Sequence, residues 1–358
     1  MKCKRNPQLA RDITGSRPPV LLLYNLDPTW DPEEREAVIE ESTRLGSALG
    51  EVGHSVTLLP VCDIDFHSQL TGIPDGGWVV LNWCESIPGM PRSEAQVAAA
   101  LESMNLAYTG SASEVLALSE DKHRMKEVLA TSGIPTPTWR IYDAPESEKW
   151  HCFPAIVKAA NGHCSEGLTP ESVAMTEEEL LLRIEYVLDT FDGPALVEDF
   201  IDGREFHVSL WGNRHVQMLP PAEMDFSSFG EARERLCTYD AKFVPDSGHY
   251  KGIKTLLPAP LTEREYRKLR KIAVSAYEAI GCRDYGRIDI RLRDGIFYVL
   301  DVNPNADIGA DASMACAAEL RGYSYGEMGS ILVQLAARRH SLGATPDSSL
   351  ALALQTGP

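Results

Sequence analysis

The stretch of sequence from Gly286 to Asn305 reads GRIDIRLRDGIFYVLDVNPN. Polar and apolar residues alternate along it on both sides of a central Asp294-Gly295 pair. The apolar set occupies the even-numbered positions Ile288, Ile290, Leu292, Ile296, Tyr298, Leu300 and Val302. Because neighbouring side chains of a strand point to opposite faces, the pattern predicts an antiparallel hairpin with one buried and one polar face.

The polar face carries the odd-numbered residues, which include Arg287, Asp289, Arg291, Asp301 and Asn303. A two-residue loop at Asp294-Gly295 would pair Asp289 with Leu300 and so mix the faces. We therefore predict a three-residue loop, Arg293 to Gly295, with Gly295 in the left-handed conformation. Arg287 is then expected opposite Asp301, and Asp289 diagonal to it.

This set of side chains suits magnesium and phosphate chemistry. Mg²⁺ prefers hard oxygen ligands, which Asp289, Asp301 and the side-chain carbonyl of Asn303 supply. Arg287 can hold an oxyanion as charge develops during phosphoryl transfer. A solvated hairpin face with an ordinary ion pair is the alternative. The Asn303-Pro304-Asn305 run at the strand end favours a site, because folding gives no reason for it there.

The rest of the chain predicts an α/β fold followed by α+β material. Strands at Val20–Tyr24, Val56–Val61 and Trp78–Trp83 alternate with helices at Glu33–Glu51 and Glu94–Met104, which predicts a parallel sheet. Beyond this region the patterns predict short strands and helices. The strands are Ala155–Ala159, Ala195–Phe200, Phe206–Leu210 and Val216–Leu219, and the helices are Ser119–Thr131, Glu177–Asp189, Thr262–Ile280 and Tyr325–Arg339.

Composition excludes several classes of function. The 358 residues carry 52 acids against 34 Lys and Arg, a net charge of -18, which disfavours a nucleic-acid or anionic-membrane partner. No apolar run is long enough to span a bilayer. The eight cysteines stand singly, with no zinc spacing, which indicates reduced thiols and a cytoplasmic location.

Five motifs occur in order: LSEDK (118–122), IVKAANGHCSEG (156–167), VEDFIDGREF (197–206), GRIDIRL (286–292) and LDVNPN (300–305). Together they resemble the ATP-grasp superfamily, specifically its D-alanine–D-alanine ligase-like group. The resemblance implies an ATP-grasp fold behind an N-terminal Rossmann-like domain. It places that domain at 18–118, a central lid subdomain at 119–204 and a catalytic subdomain at 205–340. Residues 1–17 and 341–358 are then flexible tails.

The resemblance also implies roles for individual residues. Lys122 and Lys158 match ATP-phosphate lysines, Lys242 a further phosphate or lid lysine, and Glu205 the acceptor for the ribose hydroxyls. Asn161–Gly167 matches the turn that closes over the phosphates. The metal ligands correspond to Asp289, Asp301 and Asn303, the residue that steadies the intermediates to Arg287, and the adenine-binding hinge to Glu198, Asp199, Phe200 and Ile201.

The implied reaction is ADP-forming amide synthesis with ATP and Mg²⁺, or Mn²⁺ in its place. A small-molecule carboxylate attacks the γ-phosphorus of ATP, and an amine then displaces phosphate from the acyl phosphate. The resemblance further implies a homodimer. No nucleophilic side chain is required, so Cys84 and Cys164 need no catalytic role. The histidines, including His163 and His207, form no recognised ligand set and are interpreted as structural.

Three segments around the expected amino-acid pocket depart from the group. They read NLDPTWDPEEREAV (25–38), NWCESIPGMPRSEAQ (82–96) and PNADIGADASM (304–314). We therefore predict a ligase for substrates other than two D-alanines, and Asp307 and Asp311 can attract a cationic amine or serve as acids at a helix N-terminus. The alternatives are a D-alanine–D-alanine ligase, a kinase-like ATP-grasp enzyme that stops at the phosphorylated product, and a catalytically silent ATP-binding module.

Overall fold

The structure is a computed structural model that describes residues 17–71, 77–146, 150–161, 167–191, 193–238, 240–244 and 246–340. For Lys242 and Phe243 it describes the backbone alone. The predicted tails therefore lie outside the described residues, apart from Arg17, as does 162–166 within the phosphate-closing turn. The chain divides into two compact units, and the second consists of Ser111–Ile308 and Ala312–Ala317.

The first unit is built on a four-stranded parallel sheet with strand order β2-β1-β3-β4. The central strand β1 is apolar and buried almost throughout, as expected for a parallel sheet covered on both faces. The predicted alternation of strands and helices is confirmed. The elements are β1 (Val20–Asn25), α1 (Pro32–Glu51), β2 (Val56–Val61), α2 (Phe66–Leu70), β3 (Val79–Trp83), α3 (Glu94–Ser103) and β4 (Ala107–Tyr108).

The second unit contains two antiparallel sheets. It begins with helices α4 (Ser113–Glu120) and α5 (Lys122–Thr131), and the single helix predicted over Ser119–Thr131 is wrong because Asp121 ends α4 and caps α5. The smaller sheet has the order β5-β8-β6-β7 and packs against α6. Its elements are β5 (Trp139–Tyr142), β6 (Ala155–Ala159), β7 (Val173–Ala174), α6 (Glu177–Thr190) and β8 (Ala195–Asp199).

The larger sheet has the order β12-β11-β9-β13-β14, with β10 paired to β9. Its core is formed with helix α9, whose capping box at Thr262 and Glu265 is the one that the sequence predicts. The elements are β9 (Arg204–Trp211), β10 (Gln217–Met218), β11 (Ala222–Asp225), α7 (Asp240–Phe243), α8 (Gly248–Gly252), β12 (Lys254–Leu256), α9 (Glu263–Ile280), β13 (Tyr285–Arg293) and β14 (Ile296–Asn303). Two helices follow, α10 (Ser313–Leu320) and α11 (Tyr325–Arg339), and α11 packs against α1 in the first unit.

The hairpin of β13 and β14 exists as predicted, with Gly295 in the predicted left-handed conformation, but the predicted loop length is wrong. Arg293 pairs with Ile296, so the loop has two residues, Asp294 and Gly295, with φ of 54° and 75°. Positive φ at both positions is what a type I′ hairpin turn requires. The register shifts between Asp289 and Ile290, so that Leu300 has no register partner on β13. Because of this extra residue, even-numbered residues pair with even-numbered residues again from the bulge to the end of β14, as they would with a three-residue loop.

This bulge changes which residues lie on each face. Between the turn and the bulge, Phe297 and Val299 enter the core, whereas Ile296, predicted to be buried, is 46% exposed. On the other side of the bulge, from Asp301 to Asn303, the residues of β14 lie on the faces that the sequence predicts. The predicted pairing of Arg287 with Asp301 is also wrong, because Arg287 lies opposite Asn303 and Asp289 lies opposite Asp301.

Candidate active site

The polar end of the hairpin brings a guanidinium, two carboxylates and an amide together. Arg287 makes a two-point ion pair with Asp289, with Nε 2.7 Å from Oδ1 and Nη2 3.0 Å from Oδ2. The amide nitrogen of Asn303 lies 3.2 Å from Asp289 Oδ2, and Asp301 is the register partner of Asp289. Burial by itself would lower the pKa of Arg287, but the charges of Asp289, Asp301 and Asp307 outweigh burial and raise it, so the guanidinium stays cationic.

These residues form a donor set that fits Mg²⁺ or Mn²⁺. Asp289 and Asp301 are only half-buried, and both carboxylates lie on the polar face of the hairpin, where Arg287 pairs with both oxygens of Asp289. The side-chain carbonyl of Asn303 adds a neutral oxygen donor, and hard oxygen donors of this kind are what both cations prefer.

A second cluster lies on the smaller sheet and involves a buried carboxylate. Glu198 Oε2 lies 2.8 Å from Lys158 Nζ, and Glu198 Oε1 lies 2.6 Å from Lys126 Nζ. Burial would raise the pKa of Glu198, but the two ammonium groups together hold it down at about 2. Glu198 therefore stays ionised and fixes the Lys158 ammonium, which is only 15% exposed.

The segment from Asp199 to Gly203 connects β8 to β9 and is held in place by two arginines of β13. Arg293 pairs with the carboxylate of Asp199, with Nη1 3.0 Å from Oδ1. Arg291 donates from Nη1 to the carbonyl of Ile201 at 2.9 Å and stacks over the ring of Phe200. The connection between the two sheets is therefore tied to the hairpin that carries the predicted metal ligands.

Glu205 is buried, and two groups share its carboxylate. Its Oε2 accepts from Arg291 Nε at 2.7 Å, and its Oε1 lies 3.5 Å from His207 Nε2. Burial would raise the pKa of Glu205, but Arg291 and His207 outweigh burial and lower the pKa well below its usual range. Because the arginine occupies one oxygen, the other is directed toward the histidine.

One cleft within the second unit brings most of these residues together. Of the predicted site residues, the hinge, Lys158, Glu205 and the two metal carboxylates line it, whereas Arg287 and Asn303 are outside the lining. The lining residues are Ile156, Lys158, Leu168, Glu198, Asp199, Phe200, Ile201, Glu205, His207, Leu236, Cys237, Asp289, Arg291, Leu300 and Asp301. Apolar side chains and convergent charged groups each make up about half of this lining, and convergent polar groups in a cleft are typical of a small-molecule site.

Two predicted lysines stand apart from this lining. Lys122 is the first residue of α5, and its backbone N–H donates to the carbonyl of Ala160 at 3.1 Å. This hydrogen bond holds the start of α5 close to the end of β6, which carries Lys158. Lys242 lies in α7, and its side chain is outside the described part of the chain.

Comparison with known proteins identifies the family. The family model described as "D-ala D-ala ligase C-terminus" matches residues 131–334, which is more than half of the chain. The chain belongs to this family. A D-alanine–D-alanine ligase of Azorhizobium caulinodans is 28% identical over 315 residues, which cover 85% of this chain and 94% of that ligase. An uncharacterized protein, y4sG of Sinorhizobium fredii, is 33% identical over 264 residues, covering 73% and 75%.

The fold is shared with solved ligases. The D-alanine–D-alanine ligase of Bacillus anthracis complexed with ATP superposes with a TM-score of 0.69 at 18% identity, covering 90% of this chain and 99% of that structure. The predicted ATP-grasp fold is therefore confirmed. As a member of the D-alanine–D-alanine ligase family, the chain is an ATP-dependent ligase, which confirms the predicted class of enzyme.

Sequence reasoning missed three residues of the cleft region. Lys126 is buried in the ion pair with Glu198, and its spacing of four from Lys122 is the only sequence signal for it. The sequence pattern places Arg291 on a polar face and gives it no further role. The sequence predicts a structural role for His207, and the structure places it in the cleft lining, with Nε2 3.5 Å from Glu205 and 4.0 Å from Asp289.

Proposed function

We propose that this ligase joins a small-molecule carboxylate to an amine, with ATP converted to ADP, and that its substrates are not two molecules of D-alanine. The observation that carries the reaction type is the cleft itself, in which Lys158, Glu205, Asp289 and Asp301 meet. The proposal that the substrates are not two D-alanines rests on the three segments around the expected amino-acid pocket whose sequences differ from the group.

The residues of the cleft divide the work of phosphoryl transfer. Lys158, held by Glu198, presents a fixed ammonium to the ATP phosphates, and the hinge backbone and Glu205 bind the adenine and ribose. Asp289, Asp301 and Asn303 would hold Mg²⁺, which when bound screens the negative charge of the phosphates. Arg287 stays cationic next to them, so it can stabilise charge that develops on the acyl phosphate and on the adduct formed by the amine.

Hydrogen bonds fix the conformation of the three segments whose sequences differ from the group. In the first unit, Asp27 accepts from the backbone and hydroxyl of Thr29 at 2.8 and 2.7 Å, and from the N–H of Gly89 at 3.4 Å. In the second unit, Asn305 accepts from the N–H of Ser111 at 2.9 Å. These contacts hold the segments in defined conformations, and the proposal of a changed substrate rests on the difference in their sequence.

A mass-spectrometric screen of acid and amine pairs with ATP and Mg²⁺ tests the proposal. The expected product has the mass of the acid plus the amine minus water, with ADP and phosphate released only when both substrates are present. D-Alanyl-D-alanine as the main product would establish the alternative that the names of the curated relatives favour. An acyl phosphate trapped by hydroxylamine without an amide product would indicate a kinase-like enzyme.

The remaining alternative is a silent ATP-binding module. Tight nucleotide binding without turnover across the panel would favour it. The Asp301→Asn variant serves as the control for turnover, because it removes a proposed metal ligand while leaving the hinge and Glu205 in place.

A further inference from the structure

Three side chains of different chemistry converge at one wall of the cleft. The ligand atoms of Glu205, His207 and Cys237 all lie within 4.8 Å of one another. Glu205 and His207 are two residues apart on β9, so their side chains lie on the same face of the sheet. Cys237 reaches the same point from the segment that follows the short 3₁₀ turn at Ala232–Glu234. The nucleotide chemistry uses the carboxylate of Glu205, but it needs neither the imidazole nor the thiol beside it.

We propose that Glu205, His207 and Cys237 form a binding site for a thiophilic divalent cation of the Zn²⁺ class, and that the bound cation excludes nucleotide from the cleft. Sulfur and imidazole ligands select zinc-like cations, whereas the all-oxygen set of Asp289 and Asp301 selects Mg²⁺ or Mn²⁺. Two neighbouring sites of opposite ligand preference therefore share this cleft. The exclusion of nucleotide rests on the function proposed above, but the binding of the cation does not.

The distances suit a zinc ion with modest adjustment. In a tetrahedral site with bonds of about 2.0 Å to oxygen and nitrogen, these two atoms lie about 3.3 Å apart. Glu205 Oε1 and His207 Nε2 are 3.5 Å apart. The sulfur of Cys237 has to approach to about 3.5 Å from its neighbours, a movement of about 1 Å that a small side-chain rotation provides. Three protein ligands leave a fourth position open to the cleft.

A further contact orients the carboxylate for this role. Arg291 holds Glu205 Oε2 at 2.7 Å, so Oε1 remains directed at His207. Hydrogen bonds that orient a ligand in this way strengthen metal sites. A cation bound to Oε1 would occupy the carboxylate that Glu205 offers to the ribose hydroxyls, so nucleotide and cation compete for one group.

The first experiment measures binding of Co²⁺ and Zn²⁺ to the full chain freed of metal. Co²⁺ bound to a thiolate gives a near-ultraviolet charge-transfer band, which we expect in the wild type and in Cys152→Ser but not in Cys237→Ser. Cys152 is the matched control because it is exposed and outside the cleft lining. We expect Zn²⁺ affinity, measured by competition with a chromogenic chelator, to fall at least about tenfold in Cys237→Ser and in His207→Gln.

Circular dichroism and thermal melting of all variants establish that each is folded. If one of the two ligand variants, Cys237→Ser or His207→Gln, does not fold, the other still tests the site. A Co²⁺ spectrum without the thiolate band, or Zn²⁺ affinity that neither ligand variant changes, would overturn the site.

The second experiment measures the affinity of a fluorescent ATP analogue with and without Zn²⁺. Zn²⁺ is expected to weaken nucleotide binding at least tenfold in the wild type and not in Cys237→Ser. If nucleotide binds but no thiolate-bound cation forms, the metal site is wrong and the proposed function stands. If the cation binds through Cys237 and nucleotide affinity is unchanged, the site stands and the assignment of Glu205 to the ribose fails.

Discussion

Asp289 and Asp301 lie directly opposite each other across the β13–β14 hairpin, because the bulge at Leu300 shifts the register by one residue. Like charges opposite each other on neighbouring strands are destabilising. Arg287 offsets part of this repulsion through its two-point pair with Asp289, and among the described side chains no ion pair of similar length reaches Asp301. A hairpin that accepts such a pair of carboxylates is well suited to bind a cation between them.

The first prediction concerns Asp301→Asn. Removing this charge relieves repulsion, so we expect the melting temperature to stay the same or rise. The rate of ATP-dependent ligation should fall about 100-fold or more, because the metal contributes several kcal/mol to charge stabilisation in the transition state. Steady-state kinetics and thermal melting measure the two effects. Asp294→Asn, which makes the same change at the exposed turn of the same hairpin, should leave both quantities unchanged.

The second prediction compares two arginines of β13. Arg291 is 2% exposed and holds Glu205, Ile201 and the backbone carbonyl of Arg235. Arg291→Gln would leave the buried carboxylate of Glu205 without its main partner, so we expect the free energy of unfolding to fall by about 3–5 kcal/mol. Nucleotide affinity should fall with it, because Arg291 orients Glu205.

The matched control is Arg293→Gln. Arg293 pairs with Asp199 in a half-buried position, where the two side chains are 32% and 18% exposed. Solvent still screens this pair, and screened ion pairs contribute about 0–1 kcal/mol, so this variant should lose far less stability than Arg291→Gln in urea denaturation. Equal losses in the two variants would show that the buried network around Arg291 has no special weight.

The contrast between these arginines shows what could be predicted from the sequence. Alternation along β13 predicts Arg291 on the polar face, which is correct, but it places Arg293 in the loop, whereas Arg293 is the last paired residue of the strand. Their burial differs because the connection from β8 to β9 covers Arg291, and contacts between segments about 90 residues apart leave no trace in a local pattern. The bulge at Leu300 leaves no sequence signal for a related reason, since the pairing of Asp289 with Asp301 is a property of two strands together.

Four of the five motifs contribute residues to the cleft lining, because each carries its chemistry within a few residues, whereas Lys122 of the first motif lies outside the lining. Lys126 and His207 were not found, because each is identified only by what lies across from it in space. Lys126 lies on helix α5 and belongs to the site region through Glu198, which lies on strand β8, 72 positions later in the chain.

The third prediction concerns acid stability and Lys126. Glu198 has a pKa of about 2 in the folded chain, against its ordinary value of 4.5. A lowered carboxyl pKa stabilises the fold above the unfolded-state value, and this contribution, at most about 3 kcal/mol, is lost as pH falls from about 4.5 to about 2. Lys126→Met removes one of the two cations, so the pKa of Glu198 should rise and the acid-unfolding midpoint should move to higher pH.

Urea denaturation over a series of pH values measures this shift. At pH 7 the Lys126→Met variant should lose about 3 kcal/mol, because the buried carboxylate keeps only Lys158. The control is Lys271→Met on the exposed face of α9, which should leave the pH profile unchanged. A profile for Lys126→Met that is parallel to the wild type would contradict the role of the ion pair.

The last prediction concerns the turn between β8 and β9. A Cβ atom at Gly203 would lie 2.0 Å from the carbonyl oxygen of Leu292, a backbone atom in β13 that cannot rotate away. Gly203→Ala therefore has to separate the turn from the hairpin, which should cost about 2 kcal/mol or more in the free energy of unfolding. Because the adjacent hinge residues Phe200 and Ile201 line the cleft, nucleotide affinity should fall as well.

Gly230→Ala is the matched control, because a Cβ atom there meets nothing within 4 Å and its φ is not in the left-handed region. We expect it to change the free energy of unfolding by less than about 0.5 kcal/mol and to leave nucleotide binding unchanged. Urea denaturation and nucleotide titration of the two variants side by side give the comparison. If Gly203→Ala matched Gly230→Ala in both measurements, the close packing of the hinge turn on the hairpin would not be what holds the nucleotide site in shape.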